Sequence, residues 1–198
     1  GTTWRANLDA RELSGHALYV QPGAQQAGRL FARLARLNLP PSAVSDVEAM
    51  LEAPPSSMPA LDIQIDDLVL RGKALGRVEI EAVNQEARAP RSSPREWQLQ
   101  KFNLTVPEAT LRASGRWAAA VDNRPRRTEM NFRLDVQDGG ALLTRLGTPG
   151  ALRAGAGHLE GQIGWNGSPL ALHYPSMQGQ FLVKMGRGQF LKADPGAA

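Results

Sequence analysis

The chain contains no cysteine. Disulfides, thiolate metal sites and cysteine nucleophiles are therefore excluded, while the compartment stays open, because cysteine-free chains occur everywhere. Histidine is scarce. His16, His158 and His173 are the only examples, none is spaced as a metal-binding pair, and there is no HExxH helix signature. Each is expected on the wet face of a strand or beside a turn, so no metal and no cofactor is expected. No apolar run approaches the ~20 residues that span a bilayer as a helix, and no signal peptide is visible. The chain begins directly in a strand-like run at Trp4 and stops shortly after another at Phe190. That reads as a segment of a longer protein, in which a missing targeting segment excludes little.

Basic stripes are missing too. The formal net charge is +4, but the arginines group only in proline-containing turns: Arg88, Arg91 and Arg95 in one, Arg124, Arg126 and Arg127 in another. Nucleic-acid binding calls for a basic stripe interleaved with aromatics, so these read as solvated loops and no nucleic-acid partner is expected. Attraction to anionic lipid headgroups is a weaker second reading. Asp66-Asp67 flank a turn, and Glu79 and Glu81 share a solvent face; acid–base catalysis would need a concave pocket around them. Gly155-Ala156-Gly157 and Gly186-Arg187-Gly188 open no helix, so they are strand turns and not phosphate loops. The sequence therefore reads as non-enzymatic.

What remains is alternation. Apolar residues make up 42% and charged residues 21% of the chain, which places it among globular proteins. Leu61, Ile63 and Ile65 alternate with Asp62, Gln64 and Asp66, and Val78, Ile80 and Ala82 with Glu79 and Glu81. Leu99 sits between two glutamines. Leu111 and Ala113 flank Arg112, and Met130, Phe132, Leu134 and Val136 alternate with Asn131, Arg133 and Asp135. A period of two puts one apolar and one wet face on each strand. Arg71-Gly72, the loop at Pro90–Pro94 and Pro107 separate the runs. The result is an antiparallel meander with a single apolar face.

The chain divides into leading strands (1–41), a proline- and serine-rich loop (42–60) and the main meander (61–191), all within one unit spanning 1–198. Two alternating runs, at Trp4–Ala10 and Leu13–Val20, form a first hairpin. Residues 28–39 fit a helix slightly better than a strand by periodicity, and a helical turn is allowed from Ser45 to Leu51. Asp138 is a plausible N-cap for a short helix carrying Leu142, Leu143 and Leu146 and ended by Gly147 and Pro149. Asn166-Gly167 signals a hairpin turn. The fold class that follows is mainly β: a curled, groove-like antiparallel sheet with one short helix. Roughly ten strands strain the usual limit of an open sheet, and only one short helix is available to cover the apolar face. The sheet should curl, leaving an interior incompletely filled by its own chain. Ile63, Ile65, Val78, Ile80, Leu99, Leu104, Leu111, Phe132, Leu134, Ile163 and Phe181 are the residues expected on the concave face, with Gln64, Glu79, Arg112 and Arg133 pointing to solvent. Trp4, Trp97, Trp117 and Trp165 fall in strands, where packing into a core and lining a groove need the same inward face.

The order of turn motifs carries a resemblance. Asp138-Gly139-Gly140-Ala141-Leu142-Leu143 leads through Leu146-Gly147 and Leu152-Arg153-Ala154-Gly155 to Gly157-His158-Leu159-Glu160-Gly161. Trp165-Asn166-Gly167-Ser168-Pro169, Gly179-Gln180 and Gly186-Arg187-Gly188-Gln189-Phe190 follow. Upstream lie Leu68-Val69-Leu70-Arg71-Gly72, Leu75-Gly76, Trp97-Gln98-Leu99 and Ala113-Ser114-Gly115-Arg116-Trp117. This succession resembles the C-terminal part of AsmA/TamB-superfamily proteins of the YhdP type. The resemblance implies a protein anchored in the inner membrane of a Gram-negative bacterium and extending through the periplasm. Its repeated strands would build a long hydrophobic groove that carries phospholipid towards the outer membrane. It also implies that residues 28–37 form a strand. Implied partners are phospholipid, neighbouring β-groove repeats of the full-length protein, and the membrane through segments absent here. The alternative reading is a structural scaffold or interaction module whose sheet packs closed without a ligand.

Overall fold

A computed structural model of the chain describes residues 2–23, 28–43, 58–85, 96–118, 126–150, 152–169, 173–186 and 188–190. The strands are β1 (Thr3–Asp9), β2 (Leu13–Val20), β3 (Arg29–Leu39), β4 (Ala60–Leu70), β5 (Lys73–Gln85), β6 (Glu96–Val106), β7 (Ala109–Ala118), β8 (Arg127–Val136), β9 (Leu152–Ala154), β10 (Gly157–Asn166), β11 (Gln178–Met185) and β12 (Gly188–Phe190), and a short helix, α1 (Gly139–Arg145), lies between β8 and β9. The strands β1 to β8, then β10 and β11, lie in that order in one ten-stranded sheet that is not closed into a barrel. β9 and β12 leave it to pair with each other.

Every neighbouring pair in the large sheet is antiparallel except one. β3 and β4 run parallel, which a meander does not foretell. The crossover between them starts with helical residues at 41–43; the turn expected from Ser45 to Leu51 lies outside the described residues, as do the loops holding Arg88, Arg91, Arg95 and Arg124. Residues Arg29–Leu39 are a strand, as the resemblance implies and against the slight preference of periodicity for helix. The eleven-residue β3 pairs on both edges, and ladder bonds outweigh a marginal pattern.

The local chemistry explains the connections. Arg71 (φ 50°) and Gly72 (φ 76°) are both left-handed and join β4 to β5 directly at the Leu70/Lys73 pair, a tight turn whose twist matches the strands. Pro107-Glu108 closes β6 on β7 at the Val106/Ala109 pair. Asn166-Gly167 departs from expectation: it turns the chain, but β11 begins only after a 3-10 turn at Tyr174–Ser176. Asp66 and Asp67 sit inside β4, where the register slips between Ile65 and Leu68. They form a bulge within the strand, and both are exposed.

Bulges and close-packed glycines supply places where the sheet can bend. Slips occur at Ser14/Gly15, Ile65/Leu68, Glu81/Ala82 and Leu99/Phe102. A Cβ on Gly161 would lie 2.7 Å from the Cα of its cross-strand partner Phe181, and one on Gly15 would lie 2.7 Å from the Cα of Leu34. Only a residue without a side chain allows backbones to approach that closely, which is how strands bend at sheet corners. The buried hydrophobic residues, Ala32, Leu34, Ile65, Leu68, Val78, Ala82, Trp97, Val106, Ala109, Trp117 and Trp165, all fall on one face by register. A flat single layer would leave both faces wet. Burial of one face alone marks a sheet curled about it.

Candidate functional site: an apolar trough

Cross-strand register shows how the trough is built. One row across the sheet reads Ala17, Ala32, Ile63, Ile80, Phe102, Ala113, Phe132, Gly161 and Phe181; the next reads Leu34, Ile65, Val78, Leu104, Leu111, Leu134, Leu159 and Val183. A third runs Leu61, Ala82, Leu99, Gly115, Met130 and Ile163. The residues expected to share a face (Ile63, Ile65, Val78, Ile80, Leu99, Leu104, Leu111, Phe132, Leu134, Ile163 and Phe181) therefore lie in three adjacent rows of one face.

Burial along these rows is graded. Ile65 (4%) and Val78 (1%) anchor a cluster that takes in Ile63, Ile80, Phe102 and Leu104. Leu99 packs in a second cluster with Ala82, Trp97 and Trp117. Leu111, Phe132, Leu134 and Ile163 are half-buried. Phe181 is 67% exposed and Val183 49%, both on the edge strand β11. The apolar face thus continues past the point where the chain covers it.

Tryptophans form one margin of the trough. Trp97, Trp117, Thr128 and Trp165 make a row across four strands. Trp97 Nε1 donates to the Pro59 carbonyl at 3.0 Å, and Asn84 Nδ2 to the Met58 carbonyl at 2.9 Å. These bonds hold residues 58–59 over the face, where Met58 packs on the tryptophan cluster. Trp165 Nε1 donates to Ser168 O at 2.9 Å, and Thr128 Oγ1 to Gly167 O at 2.8 Å. Trp117 is 1% exposed and its Nε1 has no partner among the described residues. Trp4, by contrast, is 61% exposed on the other edge strand.

The opposite face is ionic. Arg33 pairs with Asp62 at 2.7 Å, Arg116 with Glu129 at 2.7 Å and Arg133 with Glu160 at 2.7 Å, while Lys101 reaches Glu79 and Glu81 at 3.0 Å each. The hydrogen bond from Lys101 holds the Glu79 carboxyl below the usual carboxylate range, and that from Arg116 does the same for Glu129. Gln64, Glu79, Arg112 and Arg133 all belong to this face by register. His16 and His158 lie on it as well, and His173 precedes the 3-10 turn. The hollows of about 530 and 320 Å³ on this side are lined by groups such as Gln98, Gln162, Gln178, Arg127 and Glu129. They are spaces between long polar side chains over small neighbours, and they touch the third apolar row only at Leu99, Gly115 and Ile163.

Sequence reasoning missed Phe102 because the bulge between Leu99 and Phe102 shifts the alternation by one residue. The phase jump from 97/99 to 102/104 is its visible signal. Ala32, Leu34 and Leu68 were missed with the crossover, which pairs two runs distant in sequence.

An open, one-faced apolar sheet with a short helix at its margin defines a class of β-trough proteins. The chain matches the family described as "YhdP protein" over residues 1–198, and it belongs to that family. No curated protein and no solved structure matches it.

Proposed function

We propose that this chain is a segment of a lipid-transport protein of the bacterial envelope, its trough sheltering the acyl chains of phospholipid as they move across the periplasm towards the outer membrane. The observation that carries the reading is the continuous apolar face. It spans adjacent strands from β3 to β11 and grades from buried to open, with no polar group among the described residues convergent enough to fix a headgroup. Each methylene sheltered from water contributes about 0.8 kcal/mol, so a tail lying across a few strands is held firmly without a specific site and can slide. Family membership agrees with this role. In the full-length protein, neighbouring repeats would extend the trough, and segments outside this chain would supply the membrane anchor.

Native mass spectrometry of the purified chain tests the reading, with Phe132→Asp as its partner experiment. Co-purified phospholipid is expected on the parent. Phe132 is half-buried, so a carboxylate there reaches water; the variant should fold while bound lipid falls at least fivefold. A folded variant binding as much lipid as the parent would overturn the proposal. A clean apo mass for the parent would favour a closed scaffold.

A further inference from the structure

α1 has no part in the rows described above, yet it stands against one end of them. Asp138 Oδ1 accepts from Ala141 N at 2.9 Å and starts the helix. Gly139 N donates to Gly155 O at 2.8 Å and ties its first residue to the turn before β10. Its last turn is tied to the hairpin ends of the sheet. Arg145 Nε and Nη2 donate to the two carboxylate oxygens of Glu108 at 2.8 Å each, and Nη1 reaches Ala74 O at 3.3 Å. Glu108 belongs to the β6–β7 turn and Ala74 is the second residue of β5, so the helix lies along the margin where strands end.

The helix does not close down on what it covers. Leu142 and Leu143 remain half-buried. Beneath them is a cavity of about 170 Å³, lined almost wholly by carbon, whose walls include Val136, Leu159, Val183 and Met185. Leu159 and Val183 belong to the second trough row and Val136 and Met185 lie one row beyond it. Val183 and Met185 are 49% and 56% exposed, so the cavity opens at the free edge of β11. Apolar surface that remains in contact with water favours apolar occupants over water. Continuity with the rows admits a chain lying along them, and a lining almost wholly of carbon offers a headgroup no partner.

Resting on the lipid reading above, we propose that α1 roofs a portal at the β11 end of the trough, occupied by a single acyl tail and held to its bore by the Arg145–Glu108 pair. The open trough lets a tail slide; the roofed section selects hydrocarbon and keeps headgroups outside.

The test uses the unmodified chain and phosphatidylethanolamine vesicles doped with a phospholipid carrying a diazirine at the end of one acyl chain. After irradiation, labelled residues are assigned by fragmentation mass spectrometry. Label is expected on Leu142 or Leu143 and on Val183 or Met185, within about threefold of that on Phe132, with at least tenfold less on the exposed Thr144. Label on Phe132 with α1 no better than Thr144 would overturn the portal and leave the trough standing. Absence of label everywhere would overturn both. In Arg145→Gln, verified as folded by circular dichroism, label on Leu142 and Leu143 should drop at least threefold while that on Phe132 is unchanged. Undiminished label on α1 would refute the role of the ion pair.

Discussion

Replacing Gly161 with alanine tests whether glycine sets the curl. The added methyl would sit 2.7 Å from the Phe181 Cα and 2.7 Å from its Cβ, with the Gln180 carbonyl oxygen nearer still. Ordinary carbon contacts lie at 3.5–4.0 Å, so the strands must part by roughly 1 Å. The closest groups are backbone atoms of β11, which cannot rotate away as a side-chain tip can. Overpacking of this kind costs about 1–3 kcal/mol. For a chain of this size 1 kcal/mol shifts the melting temperature by about 2–4 °C, so a drop of about 2–12 °C is expected. Gly23, with nothing within 4 Å, is the control: alanine there should shift the melting temperature by no more than about 1 °C. Circular dichroism melts of the two variants, with the parent, make the measurement. A Gly161→Ala protein that melts with the parent would refute the argument that close backbone approach at glycines bends the sheet.

Other expectations use the same assay. Trp97→Phe and Trp117→Phe remove the same atoms, but only the first leaves a partner, the Pro59 carbonyl, without its donor; Trp97→Phe should therefore be the more destabilising by about 1 kcal/mol, and equal melting temperatures would contradict the assignment. Acid should destabilise the fold. Glu79, Glu108 and Glu129 are each held below their ordinary value near 4.5, chiefly by hydrogen bonds from Lys101, Arg145 and Arg116. The unfolded chain then binds more protons than the folded one, so their contribution is present above about pH 4.5 and is lost as pH falls through the lower folded values. Melts from pH 7 to pH 3 should show the loss concentrated below about pH 5, and a flat profile would count against these pairs.

Much of the fold was legible because a strand's period is an integer. Ile63, Ile65, Val78 and Ile80 needed nothing beyond alternation, and the helix was readable from Asp138 at one end and Gly147 at the other. The features that escaped break the period or ignore it. The Asp66-Asp67 bulge was not legible, because two polar residues in succession simply end an alternating run. Phe102 fell out of phase for the same reason. The parallel β3–β4 pair depends on a crossover, and no local pattern encodes which distant run a strand will choose. At Asn166-Gly167 the turn chemistry was read correctly, but the return strand was delayed by a segment with a pattern of its own. The trough face was thus visible strand by strand, whereas its grading from buried to open depends on where neighbouring strands stop.

The two faces of the sheet constrain each other. Surface ion pairs such as Arg33–Asp62 or Arg133–Glu160, both with roughly two-fifths of each side chain exposed, are individually worth about 0–1 kcal/mol and do not explain the fold's stability. Their value lies in register. A slip of one residue of β10 against β8 would turn Glu160 into the trough and Leu159 out of it, leaving Arg133 on the outer face without its partner, since side chains alternate with a period of two. An open apolar trough is poorly protected against such slips, because its floor is half-wet and loses little when a neighbour shifts. Charged cross-strand partners on the other face penalise every odd slip, by desolvating charge on the inside and by breaking pairs on the outside. The ionic face is thus a condition for keeping the apolar one continuous while leaving it open.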